Sequence, residues 1–522
     1  MAIISDTDTT LLLLQRCANQ APDKLYATFQ QQSLSVGELS VRAGRLAAAL
    51  SATGIQAGDR VAVMLDNSID YVELFFALIW LGAIHIPVNT RLRHSGLHFL
   101  LNHASPKLII VEQSYLYDLE KANCIEPGID VIHRKSGDKS PWKLNNCNNL
   151  NLAIFPADPV DGTADDILFI MYTSGTTGPP KGVLVTDKML RASAYAATST
   201  SDAKAGDIFP VWEPLYHIGA AQLLPLALEV GAELHFIGAF SASTFWQKVR
   251  EIRATQIHFL GGILQILLRQ PVDPLDKHHH CRIAWGGGAP ATITVEFETR
   301  FNIQVRENYG MTEASSLTSI NSDGHKGSVG NVAPYFEVKI MSGDDKRVAA
   351  GIHGEIVVRQ LEDGLITPGY FNNAEATRNT IRNGWLYTGD LGCLDENNYL
   401  YYAGRVKESI RRRGENISAW EIERVVERLA AVEQAAAIGV PDELGDEEIK
   451  LFVKLTDEAN PEKSISQICN WCAEQLPAFQ IPHHLAVIDQ FPLTGTQRIR
   501  KELLPKSIDD CITVAQVPIG TP

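Results

Sequence analysis

A two-part α/β fold is predicted for this chain: a large N-terminal domain of helix-covered, mostly parallel sheets with a β-rich subdomain, then a small C-terminal α+β domain. Three observations predict it. At 522 residues the chain exceeds what one core holds. Strand-like and helix-like segments alternate through residues 10 to 110 and again from 165. Short strands then take over near 320 to 400, and a new compact pattern follows Gly404. The domains are therefore placed at 1–403 and 404–522.

The elements follow in order. "SVGELSVRAGRLAAALSATG" spaces its apolar residues as a helix does and ends in glycine. "RVAVMLD" reads as a buried strand, "DYVELFFALIWLGA" as an apolar helix and "AIHIPVN" as the next strand. That order implies right-handed crossovers and parallel pairing. Residues 134 to 164 are polar and rich in Asn, Asp and Pro, the composition of a surface excursion. "ILFIMY", "GAELHFIG", "TQIHFLGG" and "RIAWGGG" resume the strands, and "VKIMS" and "EIVVR" open the β-rich stretch. The last unit has helices in "AWEIERVVERLAAV" and "ICNWCAEQLPAF", with strands in "AAAIGVP" and "IKLFVKLT".

Composition excludes several functions. The formal charge is −15, from 46 basic and 61 acidic residues, which argues against nucleic acid or an anionic membrane as main partner. The apolar run near the N-terminus is four leucines preceded by Asp6 and Asp8, too short for a signal peptide, so the cytoplasm is the expected location. Eight scattered cysteines suit reduced thiols. The lone "CNWC" at Cys469 and Cys472 reads as two small residues on a helix, because no second ligand pair follows it. "HHH" at His278 to His280 reads as an exposed turn.

"IMYTSGTTGPPKGVLV", from Ile170 to Val185, is of another kind. Strands on both sides make it a hairpin-type connection. Gly175, Gly178 and Gly182 let backbone amides converge, and Thr173, Ser174, Thr176 and Thr177 add hydroxyl donors. Lys181 adds a mobile positive charge. Such a loop can wrap phosphate oxygens, although a plain Thr/Gly turn has the same composition. Pro179 and Pro180 precede the lysine, so this is no Walker A loop.

The loop is followed in order by "PLYHIGA", "GGGAP", "NYGMTE", "YTGDLG" and "GRVKESI". This set resembles the adenylate-forming (ANL) superfamily of acyl-CoA synthetases, luciferases, peptide-synthetase adenylation domains and acid–amine ligases. The likeness runs from residue 10 to about 505. It implies activation of a carboxylic acid by ATP with Mg²⁺, giving acyl-AMP and pyrophosphate, then transfer to an acceptor. Charge spreading over phosphate oxygens makes fixed donors and a metal the expected source of rate.

By that resemblance Thr173, Ser174, Gly175, Thr176, Thr177, Gly178 and Lys181 would hold the β and γ phosphates. Gly288, Ala289 and Pro290 would lie along the adenine, with Tyr309 stacked opposite and Asn308, Gly310 and Met311 completing the wall. Thr312 would touch the α-phosphate and Glu313 would bind Mg²⁺, which wants oxygen ligands. Asp390 would take the ribose hydroxyls, backed by Arg405. His217 would stand between acyl pocket and acceptor channel, with an ordinary core histidine as the equal alternative. Lys407 would be the pivot about which a mobile C-terminal domain turns.

Two positions depart from the family pattern. Gly261 and Gly262 stand where a proline is common in the acyl-pocket wall. Arg498 stands where the family carries a lysine bridging carboxylate and α-phosphate, with Lys501 and Lys506 as other candidates for that charge. CoA is the expected acceptor and co-substrate. An amino acid, as in ligases resembling coronafacate ligase, is the alternative, and a non-catalytic nucleotide-binding protein is the rival class. Neither the acid nor the oligomeric state can be read from the sequence.

Overall fold

The computed structural model describes residues 8–122, 125, 129–135, 142–144, 148–149, 155–173, 180–289, 291–412, 415–441, 447–476, 480–493, 498–509 and 511–513. The chain folds as two compact units. The first extends to Val338 and includes Val358–Leu386; the second takes Lys339–Val357 and everything from Tyr387 onward. The division falls within the β-rich stretch, upstream of Gly404. The reason is local: Trp385–Leu394 and Leu400–Arg405 pair antiparallel, with Asp390 opposite Arg405, and that ladder binds the residues on either side of 395–399 together.

In the first unit an eight-stranded sheet has the order Lys181–Thr186, Ile167–Thr173, Ile84–Pro87, Arg60–Met64, Leu108–Glu112, Asp130–Arg134, Trp142–Leu144, Asn148–Asn149. Its centre is parallel and both ends are antiparallel. The polar excursion after residue 134 thus contributes the last two strands at one end of the sheet, which its composition hid. Helix Ile69–Leu81 makes the crossover from Arg60–Met64 to Ile84–Pro87. Ser68 caps it by accepting from the Tyr71 amide, and Gly82 ends it at φ 65°. Every residue of this helix except Asp70 is buried, as its continuous apolar sequence demands. Asp70 and Glu112 both bind the buried Arg134, at 2.6 and 2.7 Å.

A four-stranded sheet (Ile208–Val211, Glu233–Phe236, Leu25–Phe29, Gln32–Ser35) and a parallel three-stranded sheet (Gln256–Leu260, Ile283–Gly287, Gln304–Glu307) complete the strands that position the first unit's site. The second unit has a sheet of Val432–Pro441, Glu447–Leu455, His484–Val487 and Ile512–Thr513, with helices Ala419–Val426 and Pro461–Gln475 sharing its core. It is α+β, as predicted. Cys469 and Cys472 are buried on helix Pro461–Gln475, and burial raises the Cys472 thiol to about 12, which suits an inert core residue. His278 and His280 are exposed, but His279 turns inward, stacks on Trp246 at 5.3 Å and bonds the Phe301 carbonyl. No helix among the described residues is long and apolar enough to cross a membrane.

Candidate functional site

Three segments meet in the first unit. Strands Ile167–Thr173 and Lys181–Thr186 are an antiparallel hairpin with Thr173 opposite Lys181. Between them Ser174, Gly175, Thr176, Thr177 and Gly178 lie outside the described residues, as does Pro290. The segment Thr367–Phe371 zips onto the hairpin: the Phe371 amide donates to Gly182 O (2.7 Å), the Leu184 amide to Gly369 O (3.1 Å), and the Thr367 hydroxyl to Leu184 O (2.7 Å). The Thr367 amide also donates to Glu313 O at 2.8 Å. Tyr370 is thereby delivered between two predicted site residues. Its hydroxyl donates to Glu313 Oε1 at 2.9 Å, and Lys181 Nζ lies 4.7 Å above its ring centroid. Burial, followed by the charge of Glu313, pushes the Tyr370 phenol well above its ordinary value, so it remains a donor.

Glu313 is 6% exposed, in the single 3-10 turn Thr312–Ala314. The backbone around it tolerates little change. Ser315 and Ser316 both adopt left-handed φ, 51° and 63°, and Ser315 Oγ donates to Leu365 O at 2.6 Å. A Cβ on Gly310 would meet Ser316 O at 1.8 Å, so only glycine lets "NYGMTE" close on the serines. Gly310 is exposed, Met311 and Thr312 half-buried, and Asn308 and Tyr309 buried.

The glycine run at the end of strand Ile283–Gly287 passes equally close to its neighbours. A Cβ on Gly286 would meet Phe259 O at 1.8 Å, and one on Gly288 would meet Gly261 Cα at 3.0 Å. Glu307 Oε1 accepts from the amides of Gly288 and Ala289, both at 2.9 Å, and the Asn308 amide donates to Gly286 O at 2.7 Å. Tyr309 is fixed by its backbone: its amide bonds Ser319 Oγ, and its carbonyl accepts from Thr318 and Ser319. The side-chain Nδ2 of buried Asn308 has no hydrogen-bond partner among the described residues. An orphaned buried donor beside a glycine-only backbone fits a flat ligand that brings its own acceptors.

His217 is half-buried at the start of the short helix Ile218–Ala221, its ring 4.6 Å from that of Tyr216. The buried Glu213 carboxylate lies 3.2 Å from His258 Nδ1, a pair the sequence reading did not single out.

The remaining predicted residues belong to the second unit. Asp390 is 7% exposed, and Arg405 Nε approaches it to 3.4 Å from the neighbouring strand. Half-buried Tyr402 senses Asp390, Arg405, Arg498 and Glu408; after burial, which raises its phenol most, the two acids raise it further and the two arginines lower it. Arg498 itself is exposed. Lys407 sits in the 3-10 turn Val406–Glu408, three residues past Gly404. Gly404 has φ 102°, and a Cβ there would meet Trp420 Cβ at 2.9 Å. Lys501 is held between Glu408 Oε2 at 2.8 Å and Glu423 Oε1 at 2.7 Å.

Sequence reasoning missed Tyr370, Glu307 and Tyr402, and it named Lys501 as a candidate for the bridging charge without foreseeing its clamp by Glu408 and Glu423. Each acts through a partner distant in sequence or through backbone closeness, and only the "PGYF" beside a helix cap hinted at Tyr370.

Comparison with known proteins identifies the family. Residues 14–371 match the AMP-binding enzyme family and residues 421–498 the AMP-binding enzyme C-terminal domain. A long-chain-fatty-acid–CoA ligase of Mycobacterium tuberculosis is 30% identical over 481 residues, covering 90% of this chain and 92% of the relative. A crotonobetaine/carnitine–CoA ligase of Proteus mirabilis is 29% identical, covering 91% and 93%. Among solved structures, an anthranilate–CoA ligase holding anthranoyl-AMP superposes with a TM-score of 0.85 at 23% identity, covering 96% of both chains. ATP-bound MatB from Rhodopseudomonas palustris gives 0.82 at 25%, covering 95% of this chain and 98% of the other. With the motifs, the two-unit α/β fold and a family match over most of its length, the chain belongs to the AMP-binding enzymes, the adenylate-forming superfamily, and is of the acyl-CoA synthetase type.

Proposed function

We propose that this protein is an AMP-forming carboxylate ligase that makes an acyl-adenylate and passes the acyl group to CoA. A carboxylate oxygen attacks the α-phosphorus of ATP, the bond to the β-phosphate breaks and pyrophosphate leaves. The CoA thiolate then attacks the acyl carbon and AMP leaves. The observation that carries this reading is the convergence of Glu313 and Lys181 on Tyr370, at the base of the Thr/Gly hairpin. It puts a hard oxygen ligand and a phosphate-seeking cation side by side.

In this reading Thr173, Ser174, Gly175, Thr176, Thr177, Gly178 and Lys181 take the β and γ phosphates. Gly288, Ala289, Pro290, Asn308, Tyr309, Gly310 and Met311 enclose the adenine, with Asn308 Nδ2, which has no partner among the described residues, donating to it. Thr312 meets the α-phosphate. Glu313 holds Mg²⁺, which supplies charge neutralisation on the phosphate oxygens when bound. One protein carboxylate would be enough for this ion, which binds through few protein ligands. Asp390 and Arg405 serve the ribose, and His217 borders the acyl side. Arg498 does the family lysine's work, its planar fork gripping carboxylate and phosphate oxygens together. The C-terminal domain pivots at Lys407, next to the glycine that Trp420 crowds. CoA is favoured because the named relatives are CoA ligases.

The test offers purified protein, ATP, Mg²⁺ and a panel of acids with CoA or with amino acids, and reads nucleotide and product by mass. AMP, pyrophosphate and an acyl-CoA are expected. An amide product would move the acceptor to an amine, and stoichiometric ADP would overturn the reading.

A further inference from the structure

Resting on the nucleotide reading above, we infer that Tyr370 is a positioning residue serving both charged groups of the phosphate site. Its hydroxyl aims the Glu313 carboxylate for the metal, and its ring face seats the Lys181 ammonium until phosphate draws it away. The geometry has both halves: 2.9 Å from Oη to Glu313 Oε1 and 4.7 Å from Lys181 Nζ to the ring centroid.

The two contacts reinforce each other. A phenol that donates to a carboxylate gains electron density in its ring, and a richer ring face holds a cation better. A neutral donor also orients a carboxylate without cancelling its charge, which a lysine or arginine in the same place would do. The ring binds an ammonium less tightly than a carboxylate would, so Lys181 is pre-placed but releasable.

Tyr370 cannot drift from this post. It is 7% exposed, and its amide donates to Thr377 Oγ1 at 2.9 Å. The flanking Gly369 and Phe371 are bonded to the strand that carries Lys181, and Thr367 to the backbone of Glu313 itself. One short segment therefore references both charged side chains to the same frame. Gly369 permits it, with φ 147° and Thr377 Cγ2 only 2.8 Å from where a Cβ would stand.

Tyr370→Phe keeps the ring and removes the donor, whereas Tyr370→Leu removes both. The first readout is Mn²⁺ binding, by electron paramagnetic resonance, to full-length protein saturated with α,β-methylene-ATP; the second is AMP binding without metal. Tyr370→Phe should weaken Mn²⁺ binding about 10-fold, as loss of a hydrogen bond to a metal ligand does, and leave AMP binding unchanged. Tyr370→Leu should in addition weaken metal-free binding of α,β-methylene-ATP, which depends on Lys181. Unchanged Mn²⁺ binding in Tyr370→Phe overturns the inference while the nucleotide reading stands. Loss of AMP binding in Tyr370→Phe also overturns it, because Tyr370 would then support only the fold. If wild-type protein binds neither nucleotide, the nucleotide reading itself fails.

Discussion

Glu313 and Lys501 are both charged groups drawn largely out of water, one in each unit, and they are held by opposite means. Glu313 meets a neutral phenol on a segment tied down by backbone bonds. Lys501 is clamped by two carboxylates, Glu408 and Glu423. A neutral donor fixes a side chain's direction and leaves its charge for a ligand. Two opposite charges use the charge up, and the result is a structural joint. The difference separates groups kept for chemistry from groups that hold the frame, and it bears on which cation replaces the family lysine. Lys501 is committed to Glu408 and Glu423, while Arg498 is exposed within electrostatic reach of Tyr402 beside Asp390 and Arg405.

Removing Glu313 gives the largest expected effect. Glu313→Gln keeps an oxygen for Tyr370 but loses the negative charge, so acid-dependent ATP–pyrophosphate exchange should fall about 10²–10³-fold with the melting temperature nearly unchanged. Exchange near the wild-type rate would show that the phenol-held carboxylate has no part in adenylation.

Lys501→Met tests the other side. It strands two carboxylates, one of them with its side chain only 12% exposed, and should cost about 3 kcal/mol of stability. Chemical denaturation of the full chain measures this. A loss no larger than that of an exposed ion pair, below about 1 kcal/mol, would make the clamp a surface feature.

Much of this was legible in the sequence, and the reason differs by region. The hairpin and "NYGMTE" could be read because glycines at 182 and 310 are dictated by neighbours, Ile170 and Ser316, that leave no room for a Cβ. Helix Ile69–Leu81 and the strands around it follow from apolar period and capping. Tyr370 was hidden because it meets Glu313 across 57 positions, and the clamp on Lys501 because its partner Glu408 is 93 positions away. Neither pairing leaves a periodic trace. The end strands Trp142–Leu144 and Asn148–Asn149 were hidden for a different reason: backbone bonds to the sheet define them, with little apolar alternation to announce them.

The Arg498 substitutions rank next. Arg498→Ala should slow adenylation at least about 10-fold, roughly 1.4 kcal/mol of barrier, and Arg498→Lys should keep or raise it. Acyl transfer from supplied acyl-adenylate should survive in both. Adenylation by Arg498→Ala at the wild-type rate would mean that another group, with Lys506 the first to test, supplies the charge.

The smallest effect is a pH dependence arising in the clamp. Burial raises the Glu423 carboxyl to about 7, outweighing the attraction of Lys501 and the Ala437 amide that donates to it. Lys501 shifts upward as well, because the carboxylates outweigh its own burial, so it stays charged across the working range. The sign follows from the raised carboxyl. Between about pH 4.5 and 7 the folded state holds a proton that the unfolded chain has released, so stability falls as pH rises through 7. Above 7 both states are ionised and the loss is complete. One proton titrating near 7 makes the protein about 1 kcal/mol less stable at pH 8 than at pH 6 from this group alone. Glu423→Gln keeps an acceptor for Lys501 and the Ala437 amide and cannot ionise. The stability difference between wild type and this variant, measured by denaturant midpoint at each pH, should therefore move by about that amount toward the variant from pH 6 to 8. A difference that does not change with pH would mean that Glu423 is ionised throughout, with the clamp strong enough to overcome its burial.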